Sequence, residues 1–248
     1  MNKDFFAKLA VTMALLAHTP NIFSEIPTGN VNSKALHDVT YQRLKAEVQN
    51  RLVNTWCSSE KAGLIMDLIV SEKLKTCVEI GVFTGSSFLP IASSIQYLSQ
   101  GHVYAIDAWS NAEAIKYMDD EDPNKNWWAC VDMRQAHSFF QNIAQPFERY
   151  CIELHCTSED AVHQIGDIDF LHLDGNYTLE GSLKDAFLYS DKVNVGGYIL
   201  VSNAHICINQ DLPKLDLLYY LAEFCETVRV VDVGNTILYR KMKDSPEG

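Results

Sequence analysis

Apolar runs that end on acidic residues constrain this chain more than any other feature. Cys77-Val78-Glu79-Ile80 runs into Gly81. His102-Val103-Tyr104-Ala105-Ile106 ends on Asp107, and Ile168-Asp169-Phe170-Leu171-His172-Leu173 ends on Asp174-Gly175. Each reads as a short buried strand, and the first leads through a tight glycine turn into a helix. Carboxylates at the carboxyl ends of successive strands share one side of an open parallel sheet, the side on which such sheets bind ligands.

The rest of the sequence alternates in the same sense. Strands are predicted at 76–80, 102–106, 150–155, 168–173 and 198–202, with helices at 86–98, near 158–164, at 179–191 and at 212–224 between or after them. Alternation of this kind implies a parallel sheet covered by helices on both faces. The closing runs 227–233 and 236–240, joined by Gly234-Asn235, read as a hairpin, which adds one antiparallel strand at or near the sheet edge. The expected architecture is α/β: a Rossmann-like three-layer sandwich with a mostly parallel seven-stranded sheet, one antiparallel strand and N-terminal helices. Residues 33–75 carry those helices, with Leu36, Leu44, Val48 and Leu52, then Leu64, Ile65, Leu68 and Ile69, recurring at helical spacing. The sheet domain is expected over 76–243.

Residues 1–32 read as an apolar segment and linker. Lys3 and Lys8 precede the run Leu9 to Ala17, which resembles a short secretory signal, but Asp4 lies in the charged region and no small-x-small cleavage site follows. The run is too short to span a bilayer. Export and a docking or amphipathic segment both remain open; the expected location is cytoplasmic, with export as the alternative. The cysteines form no C-x-x-C pair and no zinc spacing, which agrees with a reducing compartment. A net charge of −12 argues against nucleic acid and anionic membrane as partners. A small-molecule acceptor is the expected partner, and a homodimer is left open.

The glycine turn is neither a dinucleotide fingerprint nor a P-loop: it reads Gly81-x-x-x-Gly85-Ser86-Ser87, with Glu79 before it and no lysine. A carboxylate beside the turn repels a diphosphate and favours a positive centre. Asp107, ending the second strand, is placed to accept from ribose hydroxyls; the alternative is a helix N-cap. S-adenosylmethionine offers a sulfonium, an ammonium and a ribose.

On these residues the chain resembles the class I S-adenosylmethionine-dependent methyltransferases over roughly 64–241. It is most similar to bacterial small-molecule O-methyltransferase-like proteins of methyltransferase family 24. The residues that carry the resemblance are Val78-Glu79-Ile80-Gly81-Val82-Phe83-Thr84-Gly85-Ser86-Ser87, Ile106-Asp107-Ala108-Trp109-Ser110, and Ile168 through Asp174-Gly175-Asn176-Tyr177. The resemblance implies cofactor contacts from Glu79 (methionine end), Gly81, Thr84, Gly85, Ser86, Asp107, Ala108 and Trp109 (adenine or ribose), Ser158 with its neighbours Thr157 and Glu159 (adenine), and Asp174. The family places a metal-binding or general-base acid at Asp174; the residue also reads as a turn acid.

Methyl transfer to oxygen needs a base, or a divalent metal, to take the acceptor's proton. Metal-dependent relatives have carboxylates after the fifth strand, where this chain has Ser202-Asn203-Ala204-His205. Asp174 and Asn203 could hold Mg²⁺ but make a poor donor set for a hard cation. His205 is the substitute base, with a packed or surface loop histidine as the alternative. His172, inside a strand, reads as a core histidine. The insertion 107–145 holds Trp109, Trp127 and Trp128 and suits an acceptor pocket. The rival readings are a methyltransferase-fold protein that has lost catalysis and an exported interaction protein.

Overall fold

The computed structural model describes residues 33–52, 56–122, 124–204, 214–232 and 235–246. The N-terminal segment and His205 therefore lie outside the described residues. In chain order the elements are α1 (Ser33–Leu36), α2 (Val39–Arg51), α3 (Ser59–Glu72), β1 (Thr76–Ile80), α4 (Phe88–Leu98), β2 (His102–Asp107), α5 (Asn111–Ala114), α6 (Lys125–Cys130), α7 (Met133–Ala144), β3 (Cys151–His155), α8 (Ser158–Ala161), β4 (Ile168–Leu173), α9 (Leu179–Ser190), β5 (Val193–Val201), α10 (Leu215–Ala222), β6 (Cys225–Val231) and β7 (Thr236–Lys241).

Several helices start where a side chain can take up their free N–H groups. Asp38 accepts from the amides of Thr40 and Tyr41 at 2.8 and 3.1 Å, Ser58 accepts from Lys61, and Thr178 accepts from Gly181. The strands form one sheet of order β3-β2-β1-β4-β5-β7-β6. β1 through β5 pair in parallel, and β7 runs antiparallel to both its neighbours. The reversed strand is thus not the outermost one. It is inserted between β5 and β6, and β6 closes the edge.

Side chains alternate across the pleat, so each strand feeds two cores. Cys77, Val103, Ala105, Phe170, Tyr198, Leu200 and Leu238 pack against Leu64, Ile65, Leu68 and Ile69 of α3 and against Phe88, Ile91 and Ile95 of α4. Val78, Ile80, Ile106, Leu171, Leu173, Ile199, Val201 and Ile237 pack against Ala186 and Tyr189 of α9 and Leu217 and Leu221 of α10. This is the expected three-layer sandwich. β5 begins five residues before the predicted strand. Its register with β4 jumps from Val193 opposite Ile168 to Tyr198 opposite Phe170, so the two glycines sit in an irregular strand entry. Among the described residues no helix is long and apolar enough to cross a membrane.

The glycine turn is fixed by a neighbouring backbone. Gly81 has φ +84°, and a Cβ there would lie 2.3 Å from the carbonyl oxygen of Asp174 and 2.5 Å from Cα of Gly175. The loops after β1 and β4 therefore touch main chain to main chain, held by the Asp174 amide on the Ile80 carbonyl at 3.0 Å. Gly81→Ala is expected to cost more than about 2 kcal/mol, from left-handed backbone plus displacement of that loop. Gly166→Ala is the comparison, because a Cβ there meets nothing within 4 Å. Urea denaturation of both variants measures the difference; equal midpoints would remove the close approach as the reason for Gly81.

Candidate active site

A cleft of about 750 Å³ opens at the carboxyl ends of the strands. Of the sequence-predicted site residues, Gly81, Thr84, Ser86, Asp107, Ala108, Ser158, Asp174 and Asn203 line it. Asp107 stands at the end of β2 and clasps both turns beside it. Its Oδ2 accepts from the amide of Phe83 at 2.8 Å and its Oδ1 from the amide of Trp109 at 2.7 Å. Burial raises its pKa from the ordinary carboxylate value, against those two hydrogen bonds. On the far wall Ser158 donates to Asp185, whose pKa burial pushes up to about 6 against that hydrogen bond. Lys184, also lining the cleft, pairs with Glu159.

Glu79, Gly85 and Trp109 do not line the cleft. Glu79 lies one residue before the end of β1, and the pleat aims it into the sheet face covered by α3, where it is fully buried. Gly85 turns its Cα toward Phe140. Trp109 is pinned by its indole N–H on the Phe83 carbonyl at 2.8 Å, and its ring packs on His137, Phe140 and His155. The expected pair of carboxylates around one positive centre is therefore not formed by Glu79 and Asp107.

Glu79 instead ends a buried row of polar groups beneath the cleft. Register sets Glu79 beside His172, and both face α3. His172 Nδ1 is 3.1 Å from Glu79 Oε1, and its Nε2 is 2.9 Å from Ser202 Oγ. Lys61 Nζ donates to Ser202 Oγ at 2.6 Å and to Asp174 Oδ2 at 3.0 Å. One hydrogen assignment fits the contacts along the row: Lys61 to Ser202, Ser202 to Nε2, and Nδ1–H to Glu79 Oε1. Ser87, at the start of α4, also donates to Glu79 Oε1, while Oε2 has no partner among the described residues. Lys214 Nζ closes the end of β5 through the Ser202 carbonyl at 2.8 Å.

Burial sets the charges along this row. It pushes the Glu79 carboxyl up to about 8, against the Ser87 hydrogen bond and helped by Asp174, so Glu79 is protonated near neutral pH. It holds His172 well below the usual imidazole range, with Lys61 adding to the effect. It lowers Lys214 to about 8, opposed by Asp174. Burial is the largest influence on Lys61 and opposes its ammonium, but Asp174, Cys57 and Glu79 together outweigh it and the pKa is raised. Lys61 is 2% exposed and Asp174 half-buried, so this ion pair forms the inner wall of the cleft.

That pair bears on a metal. Asp174 Oδ2 is taken by an ammonium, and Asn203 turns its amide nitrogen toward Asp174 Oδ1 at 3.3 Å. Glu79, His172 and Asp174 could bring ligand atoms within 4.8 Å of one another, but Glu79 is neutral and Lys61 already sits against Asp174. A hard divalent cation takes oxygen anions, and among the described residues the carboxylate at this point, Asp174, is already claimed by Lys61 and Asn203. The donor set does not fit Mg²⁺.

At the mouth, aromatic rings gather. Trp56 stacks on Phe83 with centroids 5.0 Å apart and planes 15° from parallel, and Trp128 meets Phe83 edge-on at 5.5 Å. Trp127 closes the group, 4.8 Å from Trp128 and 47% exposed. Trp56 and Lys61 were missed by sequence reasoning. A signal for Lys61 existed, since it falls on the core face of α3 one turn before Leu64 and Ile65 and two turns before Leu68. For Trp56 there was none.

Residues 78–204 match the family described as a methyltransferase domain. No curated protein matches the chain. Solved structures share its fold at low identity. The O-methyltransferase NovP is 16% identical with a TM-score of 0.56, over 79% of this chain and 88% of that one. The O-methyltransferase TomG from Streptomyces achromogenes, solved with S-adenosylmethionine, is 12% identical with a TM-score of 0.54, over 88% and 100%. The O-methyltransferase from Bacillus cereus, solved with S-adenosylhomocysteine, is 12% identical with a TM-score of 0.53, over 83% and 91%.

Glu79 gives a pH signature. A carboxyl whose folded pKa of about 8 exceeds its ordinary 4.5 binds a proton on folding between those values. Its contribution is whole below about pH 4.5 and is lost as pH rises toward about 8. Glu79→Gln cannot ionise. From about pH 5 to about pH 8 the wild type should lose on the order of a few kcal/mol relative to that variant. Urea denaturation at both pH values tests this; a gap that does not change with pH would mean that Glu79 is not shifted.

Proposed function

The chain belongs to the methyltransferase domain family, and from that premise we propose that it transfers a methyl group from S-adenosylmethionine to a small-molecule acceptor, at oxygen and without a metal. The observation that carries this reading is the cleft at the carboxyl edge of β1, β2 and β4, bordered by Asp107 on one side and the Lys61–Asp174 pair on the other. Its volume suits a ligand of nucleoside size with room for an acceptor.

The residues fit such a cofactor in kind. Asp107 has lone pairs left beyond its two backbone contacts for ribose hydroxyls. The Gly81–Ser86 turn and Ala108 border the same space, and Thr157, Ser158 and Glu159 form the wall expected to face adenine. When bound, the cofactor supplies an electrophilic methyl carbon. The protein's task is then to aim an acceptor oxygen along the displacement line and to remove its proton.

Asp174 is the group we assign to accept that proton, with Lys61 holding the carboxylate in place and supplying the positive charge that a metal provides in other enzymes. His205, two residues after Asn203 in the sequence and outside the described residues, is retained as a second candidate base. The rings of Trp56, Phe83 and Trp128 at the cleft mouth suit a flat acceptor. Cys57, Cys77, Cys130, Cys151, Cys156 and Cys225 are free thiols, which supports the cytoplasmic reading. The net charge of −12 supports a small acceptor over nucleic acid.

Calorimetry with S-adenosylhomocysteine tests the cofactor assignment. Asp107→Ala is expected to weaken binding at least tenfold, about 1.4 kcal/mol. Folded wild-type protein that binds none would end the proposal. Turnover of S-adenosylmethionine against a panel of phenols and carboxylic acids tests the chemistry. Activity should persist in a chelator, and Asp174→Asn and Lys61→Met should each lower kcat by about 10²-fold. Tight cofactor binding with no turnover would favour the non-catalytic reading, and activity abolished by chelator would overturn the metal-free one.

A further inference from the structure

A second cluster of ligating side chains lies outside the cleft, on the other side of Trp109. β3 is an edge strand, and its alternate residues Glu153 and His155 project from one face. α7 brings His137 over that face. His137 Nε2 is 2.6 Å from Glu153 Oε1, and the rings of His137 and His155 are 4.6 Å apart. One ligand atom from each of the three residues lies within 4.8 Å of the others. None of them lines the cleft.

We propose that His137, Glu153 and His155 form a binding site for a divalent transition metal of the Zn²⁺ class. Two imidazoles and one carboxylate suit zinc, with water completing a tetrahedron, whereas Mg²⁺ and Ca²⁺ demand oxygen ligands. Ligand atoms around a tetrahedral ion with bonds of about 2.0 Å stand about 3.3 Å apart. His137 Nε2 and Glu153 Oε1 are closer than that, at 2.6 Å, and all three ligand atoms lie within 4.8 Å of one another, so small side-chain rotations would complete the site. The site is open to solvent, with the side chains of His137 and Glu153 19% and 31% exposed, which gives an ion its entry.

Its floor is rigid. The Trp109 ring lies 4.3 Å from that of His137 and 5.1 Å from that of His155, centroid to centroid, and is itself 7% exposed. Packing on an indole that cannot move fixes two of the three ligands before the ion arrives, which lowers the ordering cost of binding. The same tryptophan donates its backbone N–H to Asp107, so the site adjoins the cleft wall through one residue. The inference does not rest on the methyltransferase reading, and its test uses no cofactor.

The full-length protein, stripped with chelator, is titrated calorimetrically with Zn²⁺. One site is expected, weakened at least about tenfold by His137→Ala, by His155→Ala and by Glu153→Gln. Circular dichroism establishes that each variant is folded. Absence of saturable binding, or binding unchanged in all three folded variants, would overturn the proposal. Asp174→Asn is the control, and a loss of Zn²⁺ binding there would place the ion in the cleft and overturn it as well. A measurement that spares the ligands keeps the idea testable if they prove essential for folding. Cu²⁺ should quench the protein's tryptophan fluorescence, and Trp109→Phe should remove the larger part of that quenching while saturable Zn²⁺ binding persists, its affinity lowered by loss of the indole floor. Quenching unchanged in Trp109→Phe would locate the ion elsewhere.

Discussion

A row of hydrogen-bonded side chains buried across three strands organises the ligand end of this sheet. Glu79, His172 and Ser202 sit side by side on β1, on β4 and just past β5, and Lys61 reaches down from α3 to finish the row. All four are at most 3% exposed. Any one of them left without its partner would cost roughly 1–3 kcal/mol, more for a charge. The row therefore couples the placement of α3 to the register of the strands. It works because burial decides the charges: Glu79 and His172 are neutral near pH 7, and the ammonium of Lys61 faces the carboxylate of Asp174, with Lys214 beyond it at the end of β5.

The cleft inherits its electrostatics from that arrangement. Asp174 stands just past the end of β4, and the cation facing it is covalently part of the protein, the ammonium of Lys61. An ammonium on a four-carbon stem is held by packing and needs no coordination sphere. Asn203 follows the neighbouring strand end and turns its amide nitrogen toward the other oxygen of Asp174.

Backbone strain collects at the same edge of the sheet. Phe83, Trp109, Asn203 and Asp232 all have positive φ without being glycine, and Phe83, Asn203 and Asp232 line the cleft. Such conformations persist only where surrounding structure imposes them. Here the imposing contacts are visible for the first two, since Asp107 grips the amides of both Phe83 and Trp109. Asp107 thus shapes the two turns that flank the cleft, whatever else it binds.

The sequence alone determined the layered fold, the strand that runs backwards, and the side of the sheet on which the cleft opens. These follow from local pattern: apolar runs of strand length, glycine turns, and acids at strand ends. It also placed Asp107, Asp174, Ser158 and the Gly81 turn at the cleft, because they stand at or just beyond the carboxyl ends of strands, where the cleft opens. What it could not settle was the direction of side chains inside an element and the identity of neighbours from distant segments. Glu79 reads as a ligand-binding acid, and only the pleat together with the packing of α3 decides that it is buried and neutral. Trp109 reads as an adenine-facing ring, and only its hydrogen bond to Phe83 turns it toward His137 and His155. Lys61 lies 113 residues from Asp174 along the chain. No local pattern encodes that meeting; it exists because α3 packs on the face where β1, β4 and β5 present their buried polar groups, and the tertiary structure decides it by the cost of leaving those groups alone.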